Sequence, residues 1–107
     1  MISGDTEVKV GEKTYQLALT LAAMERINAQ FSSLLDARQR VGMYDFDGIC
    51  GIIAAGAGLS AAQAKALRAE VFSAGVVNVS KQVHTYIIRM FDPEDRGSTE
   101  DKGSGEA

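Results

Sequence analysis

Hydrophobic positions change their spacing along the chain, and the changes divide it into a hairpin followed by helices. Apolar and polar residues alternate through Thr6–Val10 and again through Thr14–Leu19, a period-two pattern typical of strands with one buried face. Gly11–Lys13 separates the two runs and predicts the turn of an antiparallel hairpin over residues 6–19. Because a lone hairpin is marginally stable in water, we expect its apolar face to pack on the helices that follow.

The next two segments have helical spacing. Thr20 is a suitable N-cap for a first helix over about 21–31, and a second helix over about 33–41 is predicted to begin near Ser32 or Ser33. Gly42 fits the left-handed position just past a helix end. The pattern leaves open whether the two helices are separate or continuous. The positions predicted to be buried are Leu21, Met24, Ile27, Phe31, Leu34, Leu35 and Val41.

The stretch Phe46–Leu59 is apolar or small at every position except Asp47. A helix that is apolar all round is normally buried on every side. Fourteen residues span roughly 21 Å, which is too short for a membrane crossing of about 20 residues. We therefore predict a central core helix over 46–58, with Asp45 as its N-cap, and expect glycines such as Gly51 and Gly56 to allow close packing. Any part left uncovered is a place to look for a partner.

Two more helices complete the pattern. Ser60–Gln63 is a capping-box sequence and predicts a helix over 61–74 that Gly75 ends. Asn78 is a suitable cap for a last helix over 79–91, which Asp92-Pro93 terminates. The predicted buried positions of these helices are Ala64, Leu67, Val71, Ala74, Val79, Val83, Tyr86, Ile87 and Met90. The predicted fold class is α+β, mainly α: a single globular domain over residues 1–91, with a hairpin and a bundle of four or five short helices.

Composition agrees with one ordinary globular domain, since 107 residues are 46% hydrophobic and 23% charged. The net charge of −3 is uneven: residues 92–107 carry six acidic and two basic residues, whereas residues 1–91 carry eight and nine. We predict a disordered acidic tail over 92–107. The nearly neutral body lacks the basic patch typical of nucleic-acid binders. The chain has no run of signal-peptide or transmembrane length, so a cytoplasmic protein is expected.

Residues with catalytic potential are few and scattered. Cys50 and His84 are single residues of their kinds, and Cys50 lies in the most apolar stretch, where a buried thiol is expected. Asp45 and Asp47 are interpreted as helix-cap residues. The sequence therefore predicts no catalytic, cofactor or metal site and no enzyme. Most aromatic residues, Phe72 and Phe91 included, fall on predicted core faces, but Tyr44 lies in a loop. The candidate partner-binding residues are Tyr44, Phe46, Ile49 and Ile53.

One segment resembles a known family. Val8–Phe31 begins with the pattern V-x-V-G-x-x-x-Y-x-L-x-L-T and continues directly into a helix. This order resembles phage tail-assembly-chaperone-like proteins and the small tail proteins of gene transfer agents. The resemblance continues through the Leu-rich second helix, the Gly/Ala-rich segment and the later helices to Phe91, about four fifths of the chain.

The resemblance implies a non-enzymatic protein of the bacterial host cytoplasm. It would bind the tail tape-measure protein, keep it from aggregating and help to recruit tail tube subunits. An exposed apolar surface would also favour a homo-oligomer. Two alternatives stay open: a structural component of the tail tube, for which one hairpin provides few strands, and a small helix-turn-helix DNA-binding regulator. For the latter, Ala61–Gly75 contains only Lys65 and Arg68 as basic residues.

Overall fold

The computed structural model describes residues 5–91, which form an antiparallel hairpin followed by five helices. This arrangement confirms the predicted α+β, mainly α class. The predicted acidic tail over 92–107 lies outside the described residues. The elements are β1 (Thr6–Val10), β2 (Lys13–Leu17), α1 (Leu21–Gln30), α2 (Leu34–Gly42), α3 (Phe46–Ala57), α4 (Ala61–Ala74) and α5 (Val76–Phe91).

The hairpin has a tight turn and one buried face. Val10 pairs with Lys13, so only Gly11 and Glu12 form the turn, and Gly11 adopts a φ of +65° that glycine tolerates best. The side chains of β1 alternate between buried and exposed, as predicted. Strand β2 ends at Leu17 rather than at Leu19. Beyond that point the Ala18 amide, which lies on the edge away from β1, donates to the carbonyl of Gly56 in α3 at 3.0 Å.

Hydroxyl side chains begin three of the helices. Thr20 accepts a hydrogen bond from the Ala23 amide at 3.1 Å, and Ser33 accepts one from the Asp36 amide at 3.0 Å. Helices α1 and α2 are therefore separate, because Ser33 adopts an extended conformation and caps the second. The predicted capping box is present: Ser60 and Gln63 each accept a hydrogen bond from the backbone amide of the other.

The junction between α2 and α3 differs from the prediction. Gly42 is the last helical residue, and the left-handed position belongs to Tyr44, with a φ of +58°. Asp45 occupies the N-cap position of α3 but makes no side-chain cap, since its carboxylate pairs with Arg40 at 3.1 Å. A left-handed residue, Tyr44, and the Arg40–Asp45 ion pair therefore shape the connection between α2 and α3.

The last helix begins earlier than predicted. Gly75 ends α4 with a φ of +101°, as its position suggested, and its carbonyl accepts a hydrogen bond from the Val79 amide at 3.1 Å. Because this bond already belongs to the first turn of α5, the helix starts at Val76. The prediction of Asn78 as a cap was wrong: it is an exposed residue within the helix.

Helix α3 forms the centre of the core. It packs against β2 and against each of the other four helices. Its large side chains Ile49, Ile52 and Ile53 are fully buried, and Cys50 is 4% exposed. The predicted all-round burial of this apolar helix is therefore correct for its three isoleucines and Cys50.

Four large side chains predicted to lie in the core are exposed instead. In α1 and α2 the inward positions belong to small or β-branched residues, which leaves Leu21 69% and Leu35 51% exposed. In α4, Leu67 and Val71 face the core, so the neighbouring Phe72 is 77% exposed. Phe91, at the end of α5, is 41% exposed. These positions determine which surfaces of the molecule are apolar.

Candidate protein-binding surface

The four predicted contact residues do not lie on one surface. Tyr44 is 51% exposed, as its loop position suggested. Phe46 is half-buried beneath the guanidinium of Arg68, whose Cζ lies 4.9 Å from the ring centroid. Ile49 and Ile53 are fully buried. The selection of these two isoleucines was wrong, because five elements pack around α3 and a partner of the folded chain does not reach them.

Helix α5 has two flanks with different neighbours. On one flank, the side-chain amide of Gln82 bonds to the backbone of Lys9, and Arg89 donates to the Thr6 hydroxyl at 3.0 Å. On the other flank, the Ser80 hydroxyl donates to the carbonyl of Val41 at 2.8 Å. The hairpin therefore lies on one side of α5 and α2 lies on the other.

The far end of the second flank also contacts α2. The Cζ atom of Arg38 lies 5.8 Å from the centroid of the Phe91 ring. Helix α2 thus runs along α5 between these two contacts, and its outward stripe continues from Arg38 to Leu35 and Gly42 by helical spacing. We call the resulting surface the α2–α5 face and include in it the exposed residues Met43 and Tyr44, which directly follow α2 in the chain. Its residues are Leu35, Arg38, Gly42, Met43, Tyr44, Val77, Lys81, His84, Ile88 and Phe91.

The α2–α5 face exposes large apolar side chains. Met43 is 73% exposed, and Leu35, Tyr44, Val77 and Phe91 are each between 41% and 51% exposed. Ile88 is partly exposed. Single exposed apolar residues are common on protein surfaces, but several along one pair of helices mark an interaction surface. Five of the seven large hydrophobic residues that are exposed within residues 5–91 lie on this face.

The charged side chains on the α2–α5 face are basic. Arg38 and Lys81 are exposed bases, and none of the residues of the face is acidic. Arg40, the other base of α2, is not available in the same way, because it is already paired with Asp36 and Asp45. The face therefore combines apolar side chains with bases, a combination that suits an amphipathic segment carrying carboxylates.

Sequence reasoning missed most of this face. It selected Tyr44 from its loop position, but it assigned Leu35 and Phe91 to the core and did not consider Val77. A signal was present, since helical spacing places Val77, Ile88 and Phe91 on one stripe beside the buried stripe of α5. What the spacing does not show is that α2 packs on that side.

Other polar clusters join elements of the fold. Glu70 of α4 receives a 2.7 Å ion pair from Lys13 and a hydrogen bond from the Tyr15 hydroxyl. These partners, Lys13 first, lower the pKa of Glu70. Desolvation by burial and the neighbouring Glu70 raise the pKa of Tyr15 to about 12. The cluster fastens the hairpin to α4.

Cys50, the single cysteine of the chain, is buried in α3. Burial raises the pKa of Cys50 to about 11, so its unreactive thiol form persists at neutral pH. Within residues 5–91, no group of three or more His, Cys, Asp or Glu side chains is placed to hold a metal ion. Asp47 instead pairs with Arg68 of α4 at 2.8 Å.

Comparison with known proteins gives no assignment: no family model, no curated protein and no solved structure matches this chain. No helix within the described range is both long and apolar enough to cross a membrane.

Proposed function

We propose that this chain is a non-enzymatic tail-assembly protein of a phage or gene transfer agent, acting as a chaperone that binds the tape-measure protein. The observation that carries the proposal is the α2–α5 face, where large apolar side chains and two bases are exposed along one helix pair. The resemblance of Val8–Phe91 to small tail-assembly proteins supplies the identity of the partner.

The chemistry of the face favours a helical partner. An amphipathic helix presents apolar side chains at intervals of three and four residues, which suits a surface lined by Leu35, Val77 and Phe91. Gly42 adds room, since a Cβ atom placed there meets no neighbour within 4 Å. Carboxylates beside the apolar stripe of the partner would pair with Arg38 and Lys81. Burial of apolar area contributes about 25 cal/mol per Å², so binding keeps the apolar stripe of an unassembled helix from water.

The proposed chaperone role depends on reversible binding to the apolar stripes of the partner. A long helical protein with apolar stripes aggregates until its assembly partners arrive, and a small protein that covers those stripes keeps it soluble. Binding through a modest face releases the partner when tail tube subunits compete for it.

Co-expression with the tape-measure protein of the same gene cluster tests the proposal. We expect this chain to raise the soluble fraction of the tape-measure protein and to co-purify with it. The double variant Met43→Ser, Tyr44→Ser should lose both effects. Phe72→Ser is the matched control, because Phe72 is a 77% exposed aromatic outside the face, and it should keep both effects.

Two results would overturn the proposal. One is equal solubility of the tape-measure protein with and without this chain, together with no co-purification. The other is recovery of this chain from purified particles at the stoichiometry of tube subunits, which would identify a structural component instead.

A further inference from the structure

The outer edges of β1 and β2 differ in whether their backbone groups have hydrogen-bond partners. On the outer edge of β1, the Lys9 amide donates to Oε1 of Gln82 at 2.8 Å, and Nε2 of Gln82 donates to the Lys9 carbonyl at 2.9 Å. Gln82 therefore occupies the position of a neighbouring strand. Because both backbone groups of Lys9 point away from β2, Lys9 and its partner Thr14 form a non-hydrogen-bonded pair of the ladder.

The outer edge of β2 is open. Since Thr14 opposes Lys9 in a non-hydrogen-bonded pair, the amide and carbonyl of Thr14 point away from β1, and those of Gln16 do the same two residues later. Both residues are exposed, and no other described residue forms a backbone hydrogen bond with them. The next outward amide, that of Ala18, is satisfied by Gly56. The open edge thus spans Thr14–Gln16.

We propose that a second copy of this chain pairs with this edge, β2 against β2, antiparallel and with its two-fold axis at Tyr15. In this register Thr14 of one copy opposes Gln16 of the other, and the same pair recurs across the axis. Each pair exchanges two N–H···O bonds, so four hydrogen bonds satisfy every open group of both edges. The product is a four-stranded sheet, in which the open edges are no longer exposed.

The side chains and charges suit this pairing. Thr14 and Gln16 are uncharged, so no like charges meet at the axis. On the same sheet face, the row that begins at Lys9 of one copy ends at Glu7 of the other, and opposite charges therefore terminate each row. The edge also lies away from the α2–α5 face, because β1 and α5 separate β2 from α2. A failure to detect the dimer would therefore leave the proposed partner binding untouched, and a failure of partner binding would leave the dimer untouched.

Sedimentation analysis of the full chain tests the proposal. We expect a concentration-dependent mass that approaches twice 11.4 kDa. Thr14→Pro removes an outward amide without removing a ladder bond to β1, so it should weaken dimerisation at least tenfold while the thermal transition is retained. Thr85→Ala, at an exposed threonine of α5 away from this edge, is the control and should dimerise like the wild type. A monomer at all concentrations up to hundreds of micromolar overturns the proposal.

Cross-linking tests the register and does not depend on the folding of the proline variant. A mixture of the single variants Thr14→Cys and Gln16→Cys should form a disulfide between the two variants, because facing Cα atoms lie about 5.5 Å apart in a hydrogen-bonded pair. Each variant alone should cross-link far less. The wild-type chain controls for Cys50. Equal cross-linking within each variant alone, or none in the mixture of a dimeric chain, would show a different interface.

Discussion

Gly56 of α3 lies directly against Tyr86 of α5. A Cβ atom placed at Gly56 would be 3.0 Å from the Tyr86 hydroxyl oxygen and 3.1 Å from Cβ of Leu17. Tyr86 is fully buried, and its hydroxyl donates to the Ala18 carbonyl at 2.6 Å. The central helix, the last helix and the end of β2 therefore meet at this point, and a larger residue would require Tyr86 or Leu17 to shift by a few tenths of an ångström.

Replacing the glycines of α3 by alanine should separate packing from helix propensity. Gly56→Ala forces Tyr86 or Leu17 to move, so we expect it to lower the free energy of unfolding by about 1–3 kcal/mol. At Gly51 a Cβ would come too close only to the end of the exposed, flexible Gln30 side chain, whose Oε1 would lie 2.6 Å away, and it would make an ordinary 3.7 Å contact with Cζ of Phe31. Gly51→Ala should therefore be neutral or stabilising by up to about 1 kcal/mol, because alanine favours helix. Chemical denaturation of both variants measures the difference.

The packing of α3 is tested by the difference in unfolding free energy between Gly51→Ala and Gly56→Ala. Equal losses at Gly51 and Gly56 would mean that close packing extends along the whole helix. A stable Gly56→Ala variant would mean that Tyr86 is not held as tightly as its contacts indicate.

Tyr86→Phe should destabilise the fold while leaving the ring in place. The variant leaves the Ala18 carbonyl without its hydroxyl donor, and because this hydrogen bond is part-buried its loss should cost about 1 kcal/mol. A lower midpoint of denaturant unfolding with an unchanged m-value would confirm this loss of stability. The matched control is Tyr44→Phe, since Tyr44 is exposed and should change stability little.

Acid should remove the contribution of Glu70. Its folded-state pKa is lowered, first by Lys13, so the stabilisation is fully present above the unfolded-state value near 4.5. It is lost as the pH falls from there through the folded-state pKa. Glu70→Gln should thus be less stable than the wild type at neutral pH by at most about 1 kcal/mol, since the pair is partly exposed. The difference should shrink below pH ~4. A difference independent of pH would contradict this account.

The accessibility of the Cys50 thiol to a reagent shows whether α3 is buried. Because Cys50 is buried and its pKa is raised to about 11, a thiol reagent at neutral pH should label it only when the chain opens. The labelling rate should therefore increase with denaturant in parallel with unfolding. Rapid labelling of the native chain would show that α3 is exposed.

The sequence predicted the elements well because their signals are local. Hydroxyl caps at Thr20 and Ser60, and the glycine after α4, act within a few residues of the chain. One error arose where a group of another element competes. Asp45 was expected to cap α3, but its carboxylate pairs with Arg40 of α2.

The candidate surface was harder to predict for the same reason. The exposure of Leu35 and Phe91 depends on how α2 lies along α5, and that arrangement is not encoded in the spacing of either helix alone. The open edge of β2 was likewise not predictable, because the sequence does not show that Gln82 occupies the edge of β1 and leaves β2 as the free edge.

The most direct test is a map of the residues perturbed by a bound tape-measure segment. Methyl NMR of the full chain, titrated with an amphipathic helical peptide from a tape-measure protein, the proposed partner, provides it. The account predicts shifts at Met43, Val77 and Ile88 on the α2–α5 face, with Ile49 and Ile53 in the core unchanged. Saturating binding that shifts only methyl groups outside the face, or no binding at all, would contradict it.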